Sequence, residues 1–125
     1  MGESKAVAFI AAKKKAHPDR SIHLLSYGAN GISSRNNVQR MVRLKYEQKG
    51  PPVYQYYFTW QHTGARTLAG KMATAWANFA RNGNPSQPGL AWTPTDPVRC
   101  QTMVFDNSCR MVDDPEGGVR KILLS

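Results

Sequence analysis

The sequence predicts an α/β fold with about three main helices, one long sheet strand and one short C-terminal strand or hairpin. Three observations carry this. Apolar residues recur at helical spacing in two separate stretches, Val38 to Leu44 and Leu68 to Phe79, and a third stretch near the start is rich in helix formers. Val53 to Trp60 is a run of aromatic and β-branched residues. The composition, 41% hydrophobic and 20% charged, is that of a chain with a core. At 125 residues the chain amounts to one domain at most.

Ser4 to Ala16 reads as the first helix, with Ser4 as N-cap and Val7, Phe9 and Ile10 as a partial apolar face. His17-Pro18 ends it, because a residue before proline avoids the helical region. Ile22 to Leu25 reads as a short strand or packed loop, and Tyr27 to Ser34, with Gly28, Asn30 and Gly31, as turn and loop. Asn36 or Asn37 caps a second helix running to about Gln48, with Arg40, Arg43 and Lys49 opposite its apolar positions. Lys49-Gly50-Pro51-Pro52 stops it.

Val53 to Trp60 is then a strand. Both its faces are mostly apolar, which predicts a place inside a sheet covered on both sides. Thr67 caps a third helix whose Leu68, Met72, Ala75, Trp76 and Phe79 share one face, and Asn82-Gly83 closes it. A proline-rich loop from Pro85 to Pro97 leads to a strand at Thr102 to Phe105. Asp106-Asn107 turns the chain, Arg110 to Val112 returns as a hairpin arm, and Pro115 to Leu124 forms a last short helix. There is no internal repeat.

The net charge is +9, from 17 Lys and Arg against 8 Asp and Glu, with the basic residues concentrated before Arg81. Such an excess attracts polyanions. No nucleic-acid-binding signature accompanies it, so an uneven share of surface charge is the preferred reading. Cys100 and Cys109 are too far apart for a CxxC pair; free thiols are the default, a hairpin disulfide the weaker alternative. The apolar run Ala6 to Ala12 is short and precedes Lys13-Lys14-Lys15, the reverse of a secretory signal, and no stretch approaches transmembrane length. A cytoplasmic location is the expectation.

Three blocks taken in order resemble the type-B carboxylesterases, in their para-nitrobenzyl-esterase-like branch. They are Pro52 to Trp60; Met72 to Pro85 with Pro88-Gly89-Leu90 and Trp92; and Thr102 to Asp106 through Cys109-Arg110 to Asp114-Pro115. The resemblance runs from about Ala6 onward and implies the C-terminal portion of an α/β-hydrolase fold, a single partial domain over residues 1–125. It also implies ester hydrolysis through an acyl-serine, with serine, acid and histidine drawn from a much longer subunit. The family's Gly-Ala-x-His loop, expected between Trp60 and Thr67, is missing. His62, followed by Thr63-Gly64-Ala65, does not match it.

Other catalytic constellations are weak. Gly31-Ile32-Ser33-Ser34-Arg35 begins like a Gly-x-Ser-x-Gly elbow and fails at its last glycine. His17 and His23 read as surface or packed histidines; His62 is notable only for standing at the C-terminal end of a strand, where α/β sites gather. Asp113-Asp114-Pro115-Glu116 reads as capping and helix-dipole acids, not a metal cluster. Trp60, Trp76 and Trp92 with Tyr54, Tyr56 and Tyr57 read as core before they read as a base-stacking platform. Arg35, Arg40, Arg43, Lys45 and Lys49 read as a solvated helix face.

The expectation is therefore an esterase remnant with no catalytic, cofactor or metal residue, silent alone, and prone to self-association or to pairing with a complementing esterase chain. The alternative from another class is a small basic module binding nucleic acid or another polyanion, recognised by an affinity that falls steeply with salt. A third is a small esterase built around His62.

Overall fold

A computed structural model describes residues 2–19, 22–60 and 64–124, without the side chains of 22–30, 32, 33, 123 and 124. The elements are α1 (Glu3–Ala16), α2 (Ile22–Glu47), β1 (Tyr56–Phe58), α3 (Ala65–Asn82), β2 (Gln101–Phe105), β3 (Arg110–Asp113) and α4 (Gly117–Leu124). This is a small mixed α/β structure with four helices and one three-stranded sheet among the described residues. None of the helices is long and apolar enough to cross a membrane. The elements form two compact units. One holds the residues up to Met41 and those from Glu116 on; the other holds Val42–Pro115.

In the first unit α1 packs on α4 through Phe9 and Val119, 3% and 4% exposed, with Ala12 beside them. The N-cap of α1 is Gly2, not Ser4. The Gly2 carbonyl takes the first helical bond, from the Ala6 N–H at 3.1 Å, so Ser4 already lies inside the first turn. Glu3 in that turn suits the helix dipole. The largest departure from the sequence reading is α2. Ile22 to Leu25 is neither strand nor loop, and Tyr27 to Ser34 is no turn; all of it is helix, continuous with the stretch read from Asn36. Each glycine there costs about 1 kcal/mol relative to alanine. No proline interrupts the chain between Pro18 and Pro51, so the helix can absorb that cost over its 26 residues.

In the second unit the sheet order is β1-β2-β3, with β1 parallel and β3 antiparallel to β2. All five residues of β2 are buried, as a central strand requires. The strand predicted over Val53 to Trp60 is regular only at Tyr56–Phe58. Its hydrogen bonding is longer: the Val53 and Gln55 carbonyls accept from Thr95 and Met103 N–H, and Thr59 N–H donates to the Phe105 carbonyl. It is also an edge strand among the described residues, not an interior one, and Tyr56 and Phe58 are about half exposed. Both faces are apolar, but described elements cover only part of them.

Helix α3 starts at Ala65 after a left-handed Gly64, so Thr67 lies within the helix and does not cap it. Its C-terminus is as expected: Gly83 at φ 74° donates to the Phe79 carbonyl at 2.8 Å, a conformation open to glycine without strain. Leu68, Ala75, Trp92, Met103 and Phe105 form the core, with Tyr54, Trp60, Met72, Leu90, Cys109 and Met111 packed around it. Side-chain bonds hold the proline-rich loop against α3. Asn78 Nδ2 donates to the Ser86 carbonyl and Gln87 Nε2 to the Lys71 carbonyl, while Trp92 N–H, donating to Ser86 Oγ, ties the loop to itself.

Candidate functional site

Parallel strands collect binding groups beyond their C-terminal ends. Here β1 and β2 end beside the start of α3, and the cleft between them, of about 320 Å³, is lined by Gly64, Thr67, Leu68, Lys71, Asp106 and Asn107. Asp106 is held there: its Oδ2 accepts the Thr59 hydroxyl at 2.6 Å and its Oδ1 the Asn107 N–H at 2.8 Å. This provides a positioned carboxylate and a lysine. Among the described residues no serine, cysteine or histidine lines the cleft, which offers the Asp106 carboxylate, the Thr67 hydroxyl and the Lys71 amine. His62, the histidine nearest in sequence, lies outside the described residues.

The partial elbow at Gly31 to Arg35 does not form a strand-to-helix turn. It lies within α2, and the strained geometry that exposes a nucleophilic serine is absent from a continuous helix. His23 is also on α2. His17 at the C-cap of α1 is no bare surface residue: its Nε2 stands 2.8 Å from Glu116 Oε1.

That glutamate organises the first unit. Lys13 Nζ donates to Glu116 Oε1 at 2.7 Å and Arg35 Nη1 to Oε2 at 3.3 Å. Burial alone would raise the Glu116 carboxyl. The hydrogen bonds from Lys13 and His17 and the charges of Lys13 and Arg35 outweigh it and lower the carboxyl from 4.5 to about 2. The sequence reading gave Glu116 a capping role, and its carbonyl does accept Arg120 N–H at 3.0 Å. Its carboxylate, however, joins α1 and α2 to the start of α4, over separations of up to 103 residues that local sequence does not display. Arg35 therefore leaves the solvated face assigned to it, while Arg40, Arg43, Lys45 and Lys49 are exposed as expected. Asp113 pairs with Arg99 in an exposed bridge at 3.1 Å. Among the described residues no group of three His, Cys, Asp or Glu could hold a metal ion.

The aromatic residues divide between core and surface. Trp92 is 6% exposed and packs edge-on against Phe105 at 5.5 Å, as core. Tyr56 and Trp76, 5.2 Å apart, remain half exposed at the rim of a cleft of about 200 Å³ that Tyr54, Phe79 and Trp92 also line. Cys100 and Cys109 form no disulfide; their thiols donate to the Pro97 and Asp106 carbonyls. They stand at opposite ends of the β2–β3 hairpin, about 16–17 Å apart along the strands at 3.3 Å per residue, which rules out the hairpin disulfide.

No family model matches the chain, and no curated protein matches it. Solved structures do. A PNB esterase superposes with a TM-score of 0.64 at 20% identity, covering 91% of this chain and 30% of its own. The fold is esterase-like. A Geobacillus stearothermophilus carboxylesterase matches at a TM-score of 0.50 and 25% identity over 57% of this chain, and a thermophilic PNB esterase at 0.51 and 21% over 58%. The chain spans only 22% of the length of each of these two.

Proposed function

We propose that this chain is the C-terminal scaffold of a type-B carboxylesterase domain, derived from an ester hydrolase and catalytically silent by itself. The observation that supports it best is the match to the PNB esterase, which accounts for nine-tenths of this chain with under a third of the other. The cleft beyond the ends of the parallel strands is consistent with it: the Asp106 carboxylate is held there by Thr59, and no serine, cysteine or histidine lines the cleft among the described residues. On this reading no residue of the chain is catalytic. Its biochemical role lies in association, with a complementing esterase chain or with itself.

The test is hydrolysis of a short-chain p-nitrophenyl ester by the purified chain, together with labelling by an organophosphate probe. The expected result is a rate equal to that of buffer and no covalent adduct. Turnover lost in His62→Ala, or an adduct on one of the chain's own serines, overturns the reading.

A further inference from the structure

The chain holds seven asparagines. An asparagine loses its side-chain amide when the backbone nitrogen of the next residue attacks the side-chain carbonyl. The attack needs a nitrogen that carries a hydrogen, is not committed to a hydrogen bond and has little bulk beside it. By residue type the two Asn-Gly pairs, Asn30-Gly31 and Asn82-Gly83, suit it best, because glycine has no Cβ to block the approach. The fold closes both. Asn30 and Gly31 lie inside the continuous helix α2, where each N–H is committed to the carbonyl four residues back. Asn82 ends α3; the Gly83 N–H after it donates to the Phe79 carbonyl at 2.8 Å, and Asn82 Oδ1 accepts the Asn84 N–H at 2.8 Å. Asn36 and Asn37 also lie inside α2, and Asn78 inside α3. Asn84 precedes Pro85, whose nitrogen carries no hydrogen.

Asn107 differs from all of these. It stands with Ser108 in the turn between β2 and β3, outside any helix or strand, and both residues are exposed. The Ser108 carbonyl accepts from Arg110 Nη1 at 3.2 Å, but the Ser108 N–H has no acceptor among the described residues. Serine is also small. We propose that Asn107-Ser108 is a self-modification site, to which the fold diverts deamidation from the Asn-Gly pairs. The Ser108 nitrogen gives its proton to solvent base and bonds to Asn107 Cγ. The Cγ–Nδ2 bond breaks, and Nδ2 leaves as ammonia. Water then adds to either carbonyl of the cyclic imide and breaks one of its C–N bonds. The product is aspartate, or isoaspartate with the chain routed through the side chain. Asn107 lines the cleft beyond the parallel strand ends with Asp106 and Lys71. Deamidation therefore sets a second carboxylate beside Asp106 where a neutral amide stood, and lowers the net charge of +9 by one. The modified cleft attracts cations more and anions less.

The experiment is incubation of the full chain in warm, mildly alkaline buffer, both folded and in denaturant, followed by cation exchange and peptide mass mapping. The folded chain should accumulate an earlier-eluting form whose mass gain lies in the peptide holding Asn107, with Asn30 and Asn82 intact. In denaturant the order should reverse, Asn30 and Asn82 reacting first, because only the residue after each asparagine then matters. Asn107→Gln should lose the modification, since its longer side chain closes the larger ring slowly. Ser108→Ile should slow it severalfold through its branched Cβ. Both variants should keep the circular dichroism of the parent. Reaction of Asn30 or Asn82 ahead of Asn107 in the folded chain, the same order with and without denaturant, or an Asn107 unaltered in the folded chain would each overturn the proposal.

Discussion

Lys13 and Glu116 stand 103 residues apart in sequence and 2.7 Å apart in space, with side chains only 6% and 11% exposed. A buried ion pair of this kind is costly to break from one side, because the remaining charge keeps its burial and loses its partner. Arg35 and His17 complete the cluster, so one carboxylate ties two helices to the start of a third.

The first prediction concerns pH. The folded-state value of Glu116 lies below its ordinary one, so its contribution is fully present above about pH 4.5 and is lost as pH falls through about 2. Glu116→Gln should destabilise the first unit by about 3 kcal/mol at neutral pH and should flatten the acid limb. Thermal unfolding followed by circular dichroism from pH 7 to pH 2 measures both. An acid limb unchanged in the variant would show that the cluster does not carry the effect.

The second concerns the core. Phe105 is fully buried in the central strand, in edge or tilted contact with Tyr56, Trp76 and Trp92. Phe105→Ala should cost about 3–5 kcal/mol through lost burial and the cavity left behind. Chemical denaturation compares it with Val98→Ala, which removes a side chain 90% exposed and should change stability by less than about 0.5 kcal/mol.

Two glycines of α3 should respond with opposite sign. Gly83 sits at φ 74°, so Gly83→Ala should destabilise by about 1 kcal/mol. Gly70 lies inside the helix with open space where a Cβ would stand, and Gly70→Ala should stabilise by about 0.5–1 kcal/mol. Shifts of equal sign in the two melting temperatures would contradict the helix boundary.

The thiols should remain separate. A chromogenic disulfide reagent should titrate both cysteines in denaturant and, in the folded chain, should react with half-buried Cys109 well before Cys100, which is 7% exposed. Mass spectrometry after mild oxidation should find no Cys100–Cys109 bridge. Finding one would mean that the hairpin register is wrong.

By itself the sequence determined what depends on short-range pattern. The α/β composition, the amphipathic stripe from Leu68 to Phe79, its glycine terminator at Gly83 and the hairpin arm at Arg110 are all written in residues close together. The ordered blocks that resemble carboxylesterases led to the expectation of an esterase-like fold, which the superposition on a PNB esterase supports. Tertiary structure decided the rest. Gly28, Asn30 and Gly31 have loop preferences, yet a long helix overrides them, because local propensities of about 1 kcal/mol yield to continuity. The apolar faces of Val53 to Trp60 suggested an interior strand; only the pairing order makes it an edge. The Glu116 cluster was invisible because charges remote in sequence meet only once helices pack, and burial then turns an ordinary surface acid into an organising one.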